Sequence, residues 1–178
     1  MSLLTQKTIL NSISIKGVGV HTGSNVTLKI LPAAPNNGII FKRIDLNKNN
    51  IVIPSYSNVV DAKLCTTISN QYGVKISTIE HLMGAFYGLG IDNALVEINA
   101  QEVPIMDGSA KVFVQEIQKS GIKDSDVPIK LVKIEKKIEY NEGKKFITID
   151  KSNVSSDIDF EIKYKNNVIN IQRNKINI

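Results

Sequence analysis

Ser77-Thr78-Ile79-Glu80-His81-Leu82-Met83-Gly84-Ala85-Phe86-Tyr87-Gly88-Leu89-Gly90 and, three residues on, Ala94-Leu95-Val96-Glu97-Ile98-Asn99 read as a helix running into a strand. Ser77 and Glu80 have the spacing of a capping box, with a hydroxyl at the N-cap and a carboxylate three residues later. Gly88 or Gly90 ends the helix, because glycine accepts the left-handed conformation of a helix terminus. At about 100° per residue, Ile79, Leu82, Met83 and Phe86 gather on one face as a core stripe. His81 falls opposite, beside Gly84, Ala85 and Gly88. That second face is nearly free of side chains, so another layer could approach its backbone with one imidazole projecting into the contact.

Working upstream, residues 8–30 alternate polar and apolar character twice around Gly17-Val18-Gly19-Val20-His21-Thr22-Gly23, as a hairpin does. Residues 32–38 form a turn rich in Pro, Asn and Gly, and 39–44 a strand. Residues 46–57 are irregular, and 63–69 read as a further strand. Downstream, Glu102-Val103-Pro104-Ile105-Met106-Asp107-Gly108-Ser109-Ala110 is a turn leading into a second helix over 109–119. Val112, Phe113, Glu116 and Ile117 stand there at helical spacing, and Gly121 is the stop. Residues 123–128 (KDSDVP) have the polarity of a linker, followed by strand-like runs at 129–140, 145–150 and 158–165 with no third helix. Strands followed by helices, without strict alternation, predict an α+β fold of sheet and helices in two layers. The expected domains are 1–124 and 128–178. The C-terminal domain reads as unfinished, since three strands alone leave a sheet face uncovered and residues 170–178 have no stop-like ending.

Composition narrows the chemistry. The 178 residues are 42% hydrophobic, enough for a core. No apolar run approaches the roughly 20 residues of a membrane span, and MSLLTQKTILNS lacks the layout of a secretion signal, so a cytoplasmic protein is expected. The single cysteine, Cys65, excludes an internal disulfide framework and a four-cysteine zinc site. A metal would therefore fall to histidine and carboxylate. The net charge of +5 favours anions, but Lys130, Lys133, Lys136 and Lys137 are scattered as on a solvated surface. Five Tyr, five Phe and no Trp argue against base-stacking platforms for nucleic acid.

Glu80-His81 is the strongest local feature: an imidazole can bind zinc, and a neighbouring carboxylate can take a proton from a water. Equally, Glu80 can simply complete the capping box and His81 can be an interfacial histidine. The residues 17–23 could cradle a phosphate, but the SNVTLKI that follows is strand-like and offers no helix N-terminus, so a tight turn with His21 beside it is the plainer reading. Asp107 or Ser109 caps the second helix. Cys65 reads as a small apolar residue, and nothing local supplies the base a nucleophile needs.

Four collinear stretches, GVGVHTG at 17–23, LCTT at 64–67, STIEHLMGAFYGLGIDN at 77–93 and EVPIMDGSA at 102–110, together resemble the UDP-3-O-acyl-N-acetylglucosamine deacetylase family of lipid A biosynthesis in Gram-negative bacteria. QRNKINI at 172–178 is also similar to that family. The resemblance implies two similar α+β domains of the ribosomal protein S5 domain 2-like type, the second here an incomplete copy, with the active site between their helical layers. It implies Glu80 as general base, His81 as a ligand of Zn2+, and Leu64, Cys65 and Thr66 beside the substrate or its acyl chain. His21 and Asp107 fall in family motifs near the site, in supporting positions. The implied reaction is zinc-dependent hydrolysis of the N-acetyl group of a UDP-linked acylated amino sugar, giving acetate and the free amine. The implied protein is a monomer when complete, with no nucleic-acid partner and no transmembrane segment, peripheral membrane contact staying open. Family members are longer, so the remaining zinc ligands are expected in a missing C-terminal part, and this chain alone is expected to be inactive. An improvised metal site of His21, His81 and Asp107 is the alternative to that expectation. A non-catalytic α+β module for an anionic ligand or RNA, and a degenerate remnant kept for folding or assembly, are the competing classes.

Overall fold

A computed structural model describes residues 4–152 and 157–177. The chain divides into two compact units, one ending at Ile129 and one beginning at Lys130. The first contains β1 (Thr5–Ile9), β2 (Ile13–Val18), β3 (Asn25–Pro32), β4 (Ile39–Arg43), β5 (Ile51–Val52), β6 (Val59–Asp61), β7 (Thr67–Ser69), β8 (Lys75–Ile76), α1 (Glu80–Gly88), β9 (Ala94–Ile98), α2 (Lys111–Ser120) and β10 (Ile122–Pro128). The class is α+β.

The main sheet has the order β2-β3-β9-β4-β5. β2 and β3 form the expected antiparallel hairpin, with Ile13 opposite Ile30 and Val18 opposite Asn25. β9 lies antiparallel to β3 and parallel to β4; the long connection from β4 to β9, which includes α1, is what a parallel pair needs. Strand alternation puts Ile13 and Ile15 of β2, Val26, Leu28 and Ile30 of β3, and Ala94, Val96 and Ile98 of β9 into one buried core. The helices join that core through Leu82, Ala85 and Phe86 of α1 and Phe113 and Ile117 of α2. Each such large apolar side chain contributes about 1.5–3 kcal/mol by leaving water.

Several expectations give way to tertiary contacts. The capping box does not form: α1 begins at Glu80, and its N-cap residue Ile79 makes no side-chain cap. Ser77 is instead claimed by a neighbouring segment, its N–H donating to Gln101 O (2.9 Å) and its carbonyl accepting from Val103 N (3.0 Å). Ala85, expected on the bare face, is buried, because it stacks one turn from Leu82 on the core side. Only Thr67–Ser69 of the strand expected over 63–69 is extended, pairing with β6 and β8. Asp61 Oδ1 accepts from Lys63 N (3.1 Å) and bends the chain ahead of it.

The segment expected as a linker is β10, antiparallel to β1 with Lys7 opposite Asp124 and Ile9 opposite Ile122. Its pairing rests on backbone hydrogen bonds, which polar, exposed residues make as well as apolar ones. In the second unit, β11 (Ile138–Glu142) pairs with β12 (Lys145–Ile149) and β13 (Asp157–Lys163) with β14 (Ile171–Asn177), both antiparallel. The run expected over 129–140 is a strand only from Ile138, and β14 occupies a stretch outside the expected strands. No helix among the described residues is long and apolar enough to cross a membrane.

Candidate active site

Glu80 opens α1, and its Oε2 accepts a 3.0 Å hydrogen bond from the backbone N–H of Thr66. That bond brings the loop carrying Leu64, Cys65 and Thr66 against the first turn of the helix. Leu64 is almost fully exposed, at 86% of its free area. Cys65 is half-buried, its Sγ lying 3.7 Å from Thr67 Oγ1. Oε1 of Glu80 accepts no hydrogen bond among the described residues, which leaves it open to a water.

His81 follows on the same turn and is half-buried. Among the described residues no hydrogen-bond partner faces either ring nitrogen. The helix surface beside it is open: a Cβ placed on Gly84 or Gly88 would meet nothing within 4 Å. The bare face expected from the sequence is therefore real, although narrower by Ala85.

Behind this turn lies a group that the motifs alone do not single out. Glu102 is fully buried, yet its carboxylate accepts four hydrogen bonds, from His21 N (3.0 Å), Thr22 N (2.9 Å), Thr22 Oγ1 (2.7 Å) and Thr78 Oγ1 (3.0 Å). Burial pushes its pKa up, but the hydrogen bonds from His21, Thr22 and Thr78 outweigh that, and the carboxyl titrates below its ordinary range. A charged residue between a buried strand and Val103-Pro104 was the available signal.

His21 is thus brought to this cluster through its main chain, while its ring is exposed. Asp107 is exposed and committed to the entry of α2, accepting from Ser109 Oγ (2.9 Å) and Ser109 N (3.1 Å), while Ser109 Oγ accepts from Lys111 N (3.1 Å). The same bonds, the side-chain one first, hold its carboxyl below the usual range. No three His, Cys, Asp or Glu side chains gather as a metal site among the described residues, so His21, His81 and Asp107 do not form one. An imidazole without a partner among the described residues, on an open helix face, suits one position of a zinc site that takes three protein donors. The described residues fit that single position.

Residues 6–178 match the family model described as UDP-3-O-acyl N-acetylglycosamine deacetylase. Relatives named UDP-3-O-acyl-N-acetylglucosamine deacetylase are 46% identical over 163 residues in Teredinibacter turnerae (89% of this chain, 53% of the relative) and 43% identical over 148 residues in Actinobacillus succinogenes (83% and 48%). One from Vibrio campbellii is 41% identical over 167 residues (94% and 54%). The chain spans about half the length of the curated relatives it matches. It belongs to this deacetylase family.

Proposed function

We propose, from that membership, that the protein carries the Glu80-His81 half of a zinc-dependent deacetylase acting on UDP-3-O-acyl-N-acetylglucosamine. The observation that carries the reading is the Glu80 carboxylate, anchored through one oxygen by Thr66 N–H and open at the other, next to an imidazole without a partner among the described residues. Zinc held by His81 and by donors from outside the described residues would supply the positive charge that polarises the acetamide carbonyl and acidifies a water. The chain's own part is then proton handling. Glu80 takes a proton from the attacking water as the new C–O bond forms, and the C–N bond breaks as the departing amine receives a proton. Acetate and the UDP-linked, O-acylated glucosamine leave. Leu64, Cys65 and Thr66 line the approach of substrate, with the exposed Leu64 side chain suited to an acyl chain.

In this reading the unit ending at Ile129 is a domain of the ribosomal protein S5 domain 2-like type, and the stretch from Lys130 belongs to a second copy. We place the boundary between the two after β10 (Ile122–Pro128). The protein works as a cytoplasmic monomer, touching a membrane at most peripherally through its acylated substrate.

A segment exchange tests the function. The matched stretch of the Teredinibacter turnerae relative is replaced by this chain's, and acetate release from UDP-3-O-acyl-N-acetylglucosamine is followed with zinc present. The hybrid is expected to deacetylate, and Glu80→Gln to lower the rate by about 10²–10⁴-fold. A hybrid that releases no acetate, or a Glu80→Gln hybrid as fast as its parent, would overturn the reading.

A further inference from the structure

Glu102 has no part in the chemistry proposed above, yet the first unit is built closely around it. Three of its four donors sit on the loop 17–23 and one on the residue two before Glu80, so a single carboxylate joins segments about 80 and 24 residues away in the chain. Gly19 passes so close that an added Cβ would stand 2.4 Å from Glu102 Oε2 and 2.5 Å from Thr22 Oγ1. Thr78 is 2% exposed and held at φ 58°, a conformation rare for a β-branched residue, with its hydroxyl on Glu102 Oε1. That left-handed residue turns the chain out of its pairing with 101–103 and into the helix that begins at Glu80. Strained conformations of this kind persist only where surrounding contacts over-determine them.

We propose that Glu102 is a positioning residue, which holds Thr78 in its left-handed turn and thereby sets the direction of Glu80 and His81, in one unit with the loop that carries His21. It touches neither substrate nor metal. The proposal rests on the deacetylase reading for its purpose, but its geometry can be tested alone.

The test is NMR on the 178-residue chain without metal or substrate, comparing wild type, Glu102→Gln and Thr78→Val. Glu102→Gln replaces an acceptor of four bonds by an amide that must turn a donor toward some of them. The expected result is faster amide exchange at Thr22, by about tenfold or more, together with displaced signals for the Thr66 amide and the His81 ring. Thr78→Val keeps shape and all three loop bonds, and is expected to displace the Thr66 and His81 signals while leaving the Thr22 amide protected. If Glu102→Gln does not fold, Thr78→Val decides. Thr66 and His81 signals unmoved in Thr78→Val, whatever happens to the melting temperature, would overturn the proposal and leave Glu102 a brace for the loop. An inactive hybrid enzyme with linked signals sinks the deacetylase reading alone; an active one with unlinked signals sinks this proposal alone.

Discussion

The backbone N–H of Thr66 points at Glu80 Oε2 from 3.0 Å, tying a loop to a helix start 14 residues further along. The bond uses one carboxylate oxygen and keeps the side chain from swinging into solvent. An amide oxygen can accept the same N–H. Glu80→Gln is therefore expected to keep stability within about 0.5 kcal/mol of wild type, as substitutions outside the core usually do, while deacetylation in the hybrid collapses. Urea denaturation beside the acetate assay checks the separation of the two effects.

His81 lends little to the fold, being half-buried and without a hydrogen-bond partner among the described residues. His81→Ala is expected to leave the melting temperature nearly unchanged and to lower zinc retention in the hybrid protein. The isolated chain, offering one imidazole on an open face, is expected to hold less than one equivalent of zinc after dialysis. Metal analysis of both proteins measures this, and stoichiometric zinc on the isolated chain would contradict a single-donor site.

Gly19 and Gly84 make opposite predictions for the same substitution. Gly19→Ala drives a methyl into the Glu102 carboxylate and is expected to destabilise by about 1–3 kcal/mol. Gly84→Ala meets open space in the middle of α1 and is expected to stabilise by about 0.4–1 kcal/mol. Thermal denaturation of the two variants should move in opposite directions.

Acid stability should report Glu102. Its folded-state pKa is depressed, so its contribution is fully present above the ordinary glutamate value of about 4.3 and is lost as pH falls through the lower, native value. Wild type is therefore expected to lose stability more steeply below about pH 4 than Glu102→Gln, which has no proton to take up there. Denaturation midpoints measured across that range compare the slopes. Parallel slopes would mean that Glu102 titrates alike in folded and unfolded chains.

Local patterns carried much of the architecture. The β2–β3 hairpin, β9, the existence of both helices and the placing of Leu82 and Phe86 in the core follow from periods of two and 3.6 residues, which neighbouring side chains impose whatever the rest of the chain does. The Glu80-His81 pair and its bare flank were legible for the same reason. Partnership across the chain was not. Ser77 has the spacing of a helix cap and became a strand bridge because Gln101 and Val103 took its backbone groups. Residues 123–128 have the polarity of a linker and became β10 because β1 offered an open edge. Glu102, a charge in an apolar turn, acquires meaning only once folding brings His21, Thr22 and Thr78 to it, since hydrogen bonds between residues so far apart leave no periodic trace in the order of amino acids.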